Sequence, residues 1–316
     1  MIVTVTPNPA VDLTWRVPSL MPGHVHRADA GAVRAGGKGL NVARVAHTQG
    51  AQAVAVATAG GATGEEFAAE LADSGVPHVL VPVAAATRRS LALVDESAGD
   101  TSIVNEYGTA PTPEEWDALA DAVATALGTA DAESPGVLVI SGSLPPGTPE
   151  NVLPTLIGLG RDAAATVIVD TSGPSLLVAA DAGASVLKPN QHELRDATGL
   201  DDPVDGAREL LRRGTELVLL SLGPEGMLAV SQGADVGTLH ARLDAPLAGN
   251  PTGAGDAAVA ACAVMMDAGI RDPERILRRA TAWSAAAVLM PLAGEIHASW
   301  PDLEGALTVV TAEESP

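Results

Sequence analysis

The chain has 316 residues, 47% hydrophobic and 18% charged, with 33 glycines, which is the composition of a packed globular protein and excludes a disordered one. Its formal net charge of -21, with no basic run anywhere, argues against nucleic acid as a partner. The longest uninterrupted apolar run, residues 257–266, is too short to cross a membrane, so no membrane partner is expected.

The N-terminal stretch MIVTVTPNP lacks the basic and long apolar segments of a signal peptide and predicts a first strand instead. Cys262 is the only cysteine; it excludes an internal disulfide, fits a reducing cytoplasm, and in its Ala-rich surroundings is expected to be a buried structural thiol. Short β-branched runs follow at 54–58, 137–141, 166–170, 186–188 and 217–222. Amphipathic segments at 65–74, 113–127 and 204–213 separate them and predict crossover helices. This alternation is that of an α/β fold, a doubly wound and mostly parallel sheet flanked by helices.

Two regions break the alternation, 13–33 and 90–107, where Pro, Gly and Asp punctuate short alternating segments. They predict antiparallel strands outside the main sheet, a small β-sheet lid over the crevice at the strands' carboxyl ends. The expected organisation is one domain over 1–311, with lid strands inserted at about 13–33 and 88–108 and a disordered tail at 312–316.

Three segments carry chemistry. Asn250-Pro-Thr-Gly-Ala-Gly-Asp256 precedes a helical run, so the amides of Gly253, Ala254 and Gly255 are predicted to face an anion at a helix N-terminus. Asp256 then stands where a base would take a proton from an attacking hydroxyl. Taken alone, the same segment also suits a glycine-rich turn capped by Asp256, and no Walker-type GK[ST] follows it. Ala35-Gly-Gly-Lys-Gly-Leu-Asn41 opens a helix at 42–49; Gly36 and Gly37 permit close approach of a ligand, while Lys38 and Asn41 supply a cation and an amide. Sixteen of the 18 cationic residues are arginine, and the two lysines, Lys38 and Lys188, both fall inside such motifs.

Together these segments resemble the paired signatures of the ribokinase-like (PfkB) carbohydrate kinases, and the resemblance runs in order along nearly the whole chain. Thr6-Pro-Asn-Pro-Ala-Val-Asp12 resembles the first-strand motif whose aspartate grips sugar hydroxyls, and Thr87-Arg88 a lid element. Ser141-Gly-Ser-Leu-Pro-Pro-Gly147 closes a central strand. Lys188-Pro-Asn190-Gln-His-Glu193 resembles the Asn-x-x-Glu element that organises magnesium, and Ser221-Leu-Gly223-Pro-Glu-Gly226 the nucleotide loop. Gly-Gly-Lys-Gly-Leu-Asn-Val-Ala-Arg44 is most similar to the 1-phosphofructokinase and tagatose-6-phosphate kinase branch; Pro7, Thr109 and Ala257 depart from the common pattern.

The resemblance implies ATP-dependent phosphoryl transfer to a ketohexose phosphate, foremost fructose 1-phosphate, then tagatose 6-phosphate or fructose 6-phosphate. It is also compatible with a kinase of an unphosphorylated sugar or nucleoside, and with a non-catalytic sugar or nucleotide sensor. Asp256 would be the base, with Gly253, Ala254 and Gly255 as the anion hole. Asp12, Gly36, Gly37, Lys38, Asn41, Arg88, Ser141 and Arg27 would bind substrate, Lys38, Arg88 and Arg27 at its phosphate and Arg27 in the neighbouring subunit's site. Lys188, Asn190, Ser221, Gly223 and Gly226 would bind ATP, and Asn190 and Glu193 would hold Mg2+ through water. A homodimer paired through the lid is also implied.

Overall fold

The computed structural model describes residues 1–129, 136–232 and 237–311; the 312–316 tail lies outside the described residues. The chain opens with β1 (Ile2–Thr6), β2 (Ala10–Val17), β3 (Ala32–Gly36), α1 (Lys38–Thr48), β4 (Ala53–Ala59) and α2 (Gly61–Asp73). There follow β5 (His78–Pro82), β6 (Arg88–Asp95), β7 (Asp100–Asn105), α3 (Pro113–Leu127), β8 (Val137–Ser141) and α4 (Val152–Asp162). The centre holds β9 (Thr166–Asp170), α5 (Pro174–Asp181), β10 (Val186–Leu187), α6 (Gln191–Thr198), α7 (Pro203–Arg213) and β11 (Leu217–Ser221). The last elements are β12 (Met227–Ser231), β13 (Leu239–Arg242), α8 (Ala254–Asp267), α9 (Pro273–Val288), α10 (Trp300–Ala306) and β14 (Thr308–Thr311).

Among the described residues the main sheet has ten strands in the order β14-β13-β12-β11-β10-β9-β8-β1-β4-β5. The seven from β11 to β5 are parallel, and β12, β13 and β14 add an antiparallel edge. The parallel strands read as continuous apolar runs because both faces are covered. On β8, Leu138 and Ile140 pack towards α3, α4 and α7, whereas Val137 and Val139 pack towards α1, α8 and α9. Cys262 is fully buried in this second layer, and burial pushes its thiol up to about 12, where it is inert.

The helix starts follow local chemistry. Thr112 and Glu115 form a capping box on α3 behind Pro113, and Asp202 and Asp272 cap α7 and α9. α1 begins at Lys38, four residues before the expected 42, because Gly37 at φ 122° serves as its N-cap.

The second sheet has the order β3-β2-β6-β7. Its two hairpin partners are antiparallel, as expected, but the seam between β2 and β6 is parallel, correcting the expectation of an all-antiparallel lid. The reason is connectivity: β2 and β6 both follow strands that run the same way, β1 and β5, leave the main sheet at its carboxyl end, and so run alongside each other. Phe67 on α2, fully buried with Val11, Ala35 and Leu40, joins this sheet to the body.

Candidate active site

A cleft of about 1000 Å³ lies between the small sheet and the carboxyl ends of the parallel strands. From β1 the chain turns to β4 on one side, while β8 continues the sheet on the other, so the cleft sits at the switch point where open α/β sheets bind ligands. α1 and α8 lie side by side and start at this cleft, directing two helix N-termini into it.

The turn 250–253 shapes the start of α8. Thr252 N–H donates to Asn250 Oδ1 at 3.1 Å, and Gly253 is the N-cap at φ 84°. A Cβ at Gly253 would stand 2.8 Å from Ala293, so both backbone angle and space demand glycine there. Ala254 N–H donates to Pro251 O at 3.2 Å, which corrects its expected place in the anion hole: the turn folds its amide back onto the proline carbonyl. Among the described residues the amides of Gly253, Gly255 and Asp256 make no hydrogen bond, and they form the donor set at the helix end.

Asp256 is not the cap of α8. It occupies the third helical position, is 6% exposed, and its Oδ2 accepts from Asn41 Nδ2 at 2.8 Å. Burial raises its pKa to about 6, against the opposing pull of Lys38. Asp12, on β2, is likewise raised to about 6 by burial, against Arg88.

Sequence reasoning named Lys38, Lys188 and Ser141 but missed the residue that gathers them. Asp170, the last residue of β9, is fully buried; Lys38 Nζ is 3.2 Å from its Oδ2, Lys188 Nζ 3.6 Å from its Oδ1, and Ser141 Oγ donates to Oδ2 at 3.1 Å. Burial acts to raise the Asp170 pKa, but Lys188 and Lys38 outweigh it and hold it below the ordinary range; in return Asp170 raises that of Lys38. The available signal was a carboxylate closing an otherwise apolar strand, Thr-Val-Ile-Val-Asp170.

Arg88 sits apart from this cluster. Its Nε and Nη2 donate to Asn8 O at 3.2 Å and its Nη1 to Glu106 O at 3.1 Å, with Asp12 as its main countercharge. Lys38 and Arg88 share no protein partner, and both line the cleft. Asp12, Ser90 and Asn105 stand in register across β2, β6 and β7 and line the cleft, the latter two unforeseen from sequence.

Three expected substrate residues do not line the cleft. Ser141 is fully buried, with its hydroxyl committed to Asp170, and Gly142 and Ser143 form the wall in its place. Gly36 is buried against the Asp12 carboxylate, which occupies the space a Cβ would need, so its smallness makes room for Asp12. Arg27 is exposed on the segment between β2 and β3, outside the cleft. Gly37, which does line it, also packs on Thr6.

Lys188, Asn190, Glu193, Ser221, Gly223 and Gly226 also line the cleft, as do the apolar Leu222, Leu243 and Val288. Asn190 Oδ1 accepts from Glu193 N–H and Glu193 Oε2 from Asn190 N–H, both at 2.9 Å, in a capping box on α6. Glu193 Oε1 remains, 3.9 Å from Lys38 Nζ. Among the described residues no three His, Cys, Asp or Glu side chains gather to hold a metal ion. This sparse donor set suits an ion that keeps most of its own water and arrives on a phosphate chain.

The cleft sets a buried carboxylate at a helix N-terminus between an apolar wall and the polar face of the small sheet, on a ribokinase-like fold. Residues 7–298 match the pfkB family carbohydrate kinases, and the chain belongs to that family. It is 38% identical over 292 residues to the 1-phosphofructokinase of Xanthomonas campestris pv. campestris, covering 89% of each chain. It is 35% identical to the ATP-dependent 6-phosphofructokinase isozyme 2 of Mycobacterium tuberculosis, over 85% of this chain and 78% of that one. The structure of phosphofructokinase-2 from Escherichia coli in complex with fructose-6-phosphate superposes with a TM-score of 0.85 at 31% identity, over 96% and 98% of the two chains.

Proposed function

We propose that this chain catalyses ATP-dependent phosphorylation of a ketohexose phosphate, with fructose 1-phosphate as acceptor and fructose 1,6-bisphosphate as product. The observation that carries the reading is Asp256: a carboxylate raised to about 6, held by Asn41, and set beside the unpaired amides of Gly253 and Gly255. A binding protein has no need of a base at that place, which disfavours the sensor. The relatives named 1-phosphofructokinase and the segment Gly36–Arg44 support the choice of acceptor.

In this reading Asp12, with Ser90 and Asn105, holds the sugar against the small sheet. Arg88 turns from the Asn8 carbonyl to the phosphate already on the substrate. Asp256 takes the proton of the acceptor hydroxyl as its oxygen bonds to the γ-phosphorus of ATP and the bond to the β-bridging oxygen breaks. The amides of Gly253, Gly255 and Asp256, with Lys38 and Lys188, meet the charge on the moving phosphoryl group. Lys38 is thus assigned to the transferred phosphate, since its neighbours are Asp170 and Glu193. Magnesium, when bound with ATP, screens the triphosphate; Glu193 and Asn190 would hold it through water.

A homodimer through the small sheet belongs to the same proposal. Val33, Leu13, Leu91 and Val104 form an apolar row straight across it, alternating with the cleft-lining row, and Val33 and Val104 are exposed. Arg27 would then reach the neighbouring site. No helix among the described residues is long and apolar enough to cross a membrane, and the cytoplasm is the compartment we propose.

The test is ATP turnover against fructose 1-phosphate, fructose 6-phosphate, tagatose 6-phosphate, fructose and ribose. The highest kcat/KM is expected for fructose 1-phosphate; turnover of free sugars alone would overturn the reading.

A further inference from the structure

The contact between Asn41 and Asp256 joins two helices at their first turns. Asn41 is 6% exposed on α1, and its Nδ2 donates to Asp256 Oδ2 at 2.8 Å across the gap to α8. A Cβ at Gly294 would lie 3.1 Å from Asn41 Oδ1, so only glycine leaves room for the amide there, and its orientation is set by the carboxylate, to which Nδ2 alone can donate. The carboxylate is thereby held at one oxygen, with the other left for the acceptor hydroxyl.

We infer that Asn41 is a positioning residue for the base: by donating to Oδ2 it selects Oδ1 as the proton acceptor and favours the ionised carboxylate. This rests on Asp256 being the base and goes beyond contact with substrate. The groups facing Asp256 from the packed elements are Lys38 on α1, Lys188 after β10, Asp170 on β9 and Asp12 on β2. The lysines favour ionisation and the aspartates oppose it, and burial acts against the charge more strongly than any of them. A directed hydrogen bond to the charged form is the local device that remains, and such a bond shifts proton affinity by about tenfold.

The test uses Asn41→Ala and Asn41→Asp in the full chain, with two readouts. In 13C-carboxyl titrations of the aspartate-labelled apo protein, Asp256, assigned through Asp256→Asn, should titrate about one pH unit higher in Asn41→Ala and higher still in Asn41→Asp. The acid limb of kcat, with whichever acceptor the wild type turns over best, should move in the same direction. An Asp256 titration that coincides in all three proteins, or a rise in sugar KM with an unmoved acid limb, overturns the inference. Absence of turnover with every sugar phosphate would overturn the proposed function and leave the titration to decide the role of Asn41 by itself.

Discussion

Lys38 Nζ stands 3.2 Å from Asp170 Oδ2, a pairing of residues 132 positions apart that sets the electrostatics of the cleft. Lys188 approaches the other oxygen at 3.6 Å, so both lysines of the chain meet on one buried carboxylate. In a protein of net charge -21 this is how cations are kept at the phosphate end of a cleft: each is aimed by a countercharge that water does not reach.

Asp170→Asn should therefore act on both stability and catalysis. It leaves Lys188, 4% exposed, without a countercharge, and breaking such a buried pair costs about 3 kcal/mol. The sign follows from the lowered Asp170 pKa: its stabilisation is present above the unfolded carboxylate value and is lost as pH falls through the native one. Urea denaturation at pH 7.5 should show the deficit, and at the acid end of the native range the deficit should narrow.

Asp256→Asn should keep the fold and ATP binding while lowering kcat by roughly two to four orders of magnitude. It should also raise thermal stability at pH 7.5. A carboxylate raised to about 6 contributes stability below its unfolded value, which disappears as pH rises through 6, so at neutral pH the ionised wild-type group is a burden the amide lacks. The gain, on the order of 2 kcal/mol, should fade as the pH is brought below 6. Wild-type-like turnover in the folded variant would show that Asp256 is not the base.

Lys38→Met and Arg88→Gln should separate the two phosphates. Arg88→Gln removes a charge-assisted contact to the substrate's own phosphate and should raise the sugar-phosphate KM by about 30-fold, roughly 2 kcal/mol, with little change for ATP. Lys38→Met should lower kcat by at least tenfold with a smaller effect on that KM. Identical KM effects in the two variants would return Lys38 to the substrate's phosphate.

Gly253→Ala tests the anion hole. At φ 84°, with Ala293 2.8 Å from the new methyl, the loop after α9 must shift or the helix start must unwind. Thermal unfolding should show a loss of about 1–3 kcal/mol, and kcat should fall by roughly 100-fold while sugar KM stays within a few fold.

What the sequence determined by itself was everything encoded over short range. Apolar runs buried on both faces marked β1, β4, β8, β9 and β11, and glycine-rich turns marked that α1 and α8 follow them, though α1 starts four residues earlier than expected, because periodicity and backbone freedom are local properties. The family was legible for the same reason, each of its motifs being contiguous, and Asp256, Lys38, Asn190 and Glu193 from those motifs all line the cleft. What tertiary structure decided was which groups share a partner. Asp170 looks like an ordinary strand end until β8, β10 and α1 bring Ser141, Lys188 and Lys38 to it, and Ser141 looks accessible until that hydroxyl is consumed. Ser90 and Asn105 carry no motif and meet Asp12 only through register between distant hairpins, and the parallel β2–β6 seam depends on where two insertions leave the main sheet. Ala254 was lost from the anion hole to a carbonyl three residues back, a matter of turn geometry that residue types do not encode. Burial, which raises Asp256 and Asp12 to about 6, is a sum over every element packed around them, and so belongs to the fold as a whole.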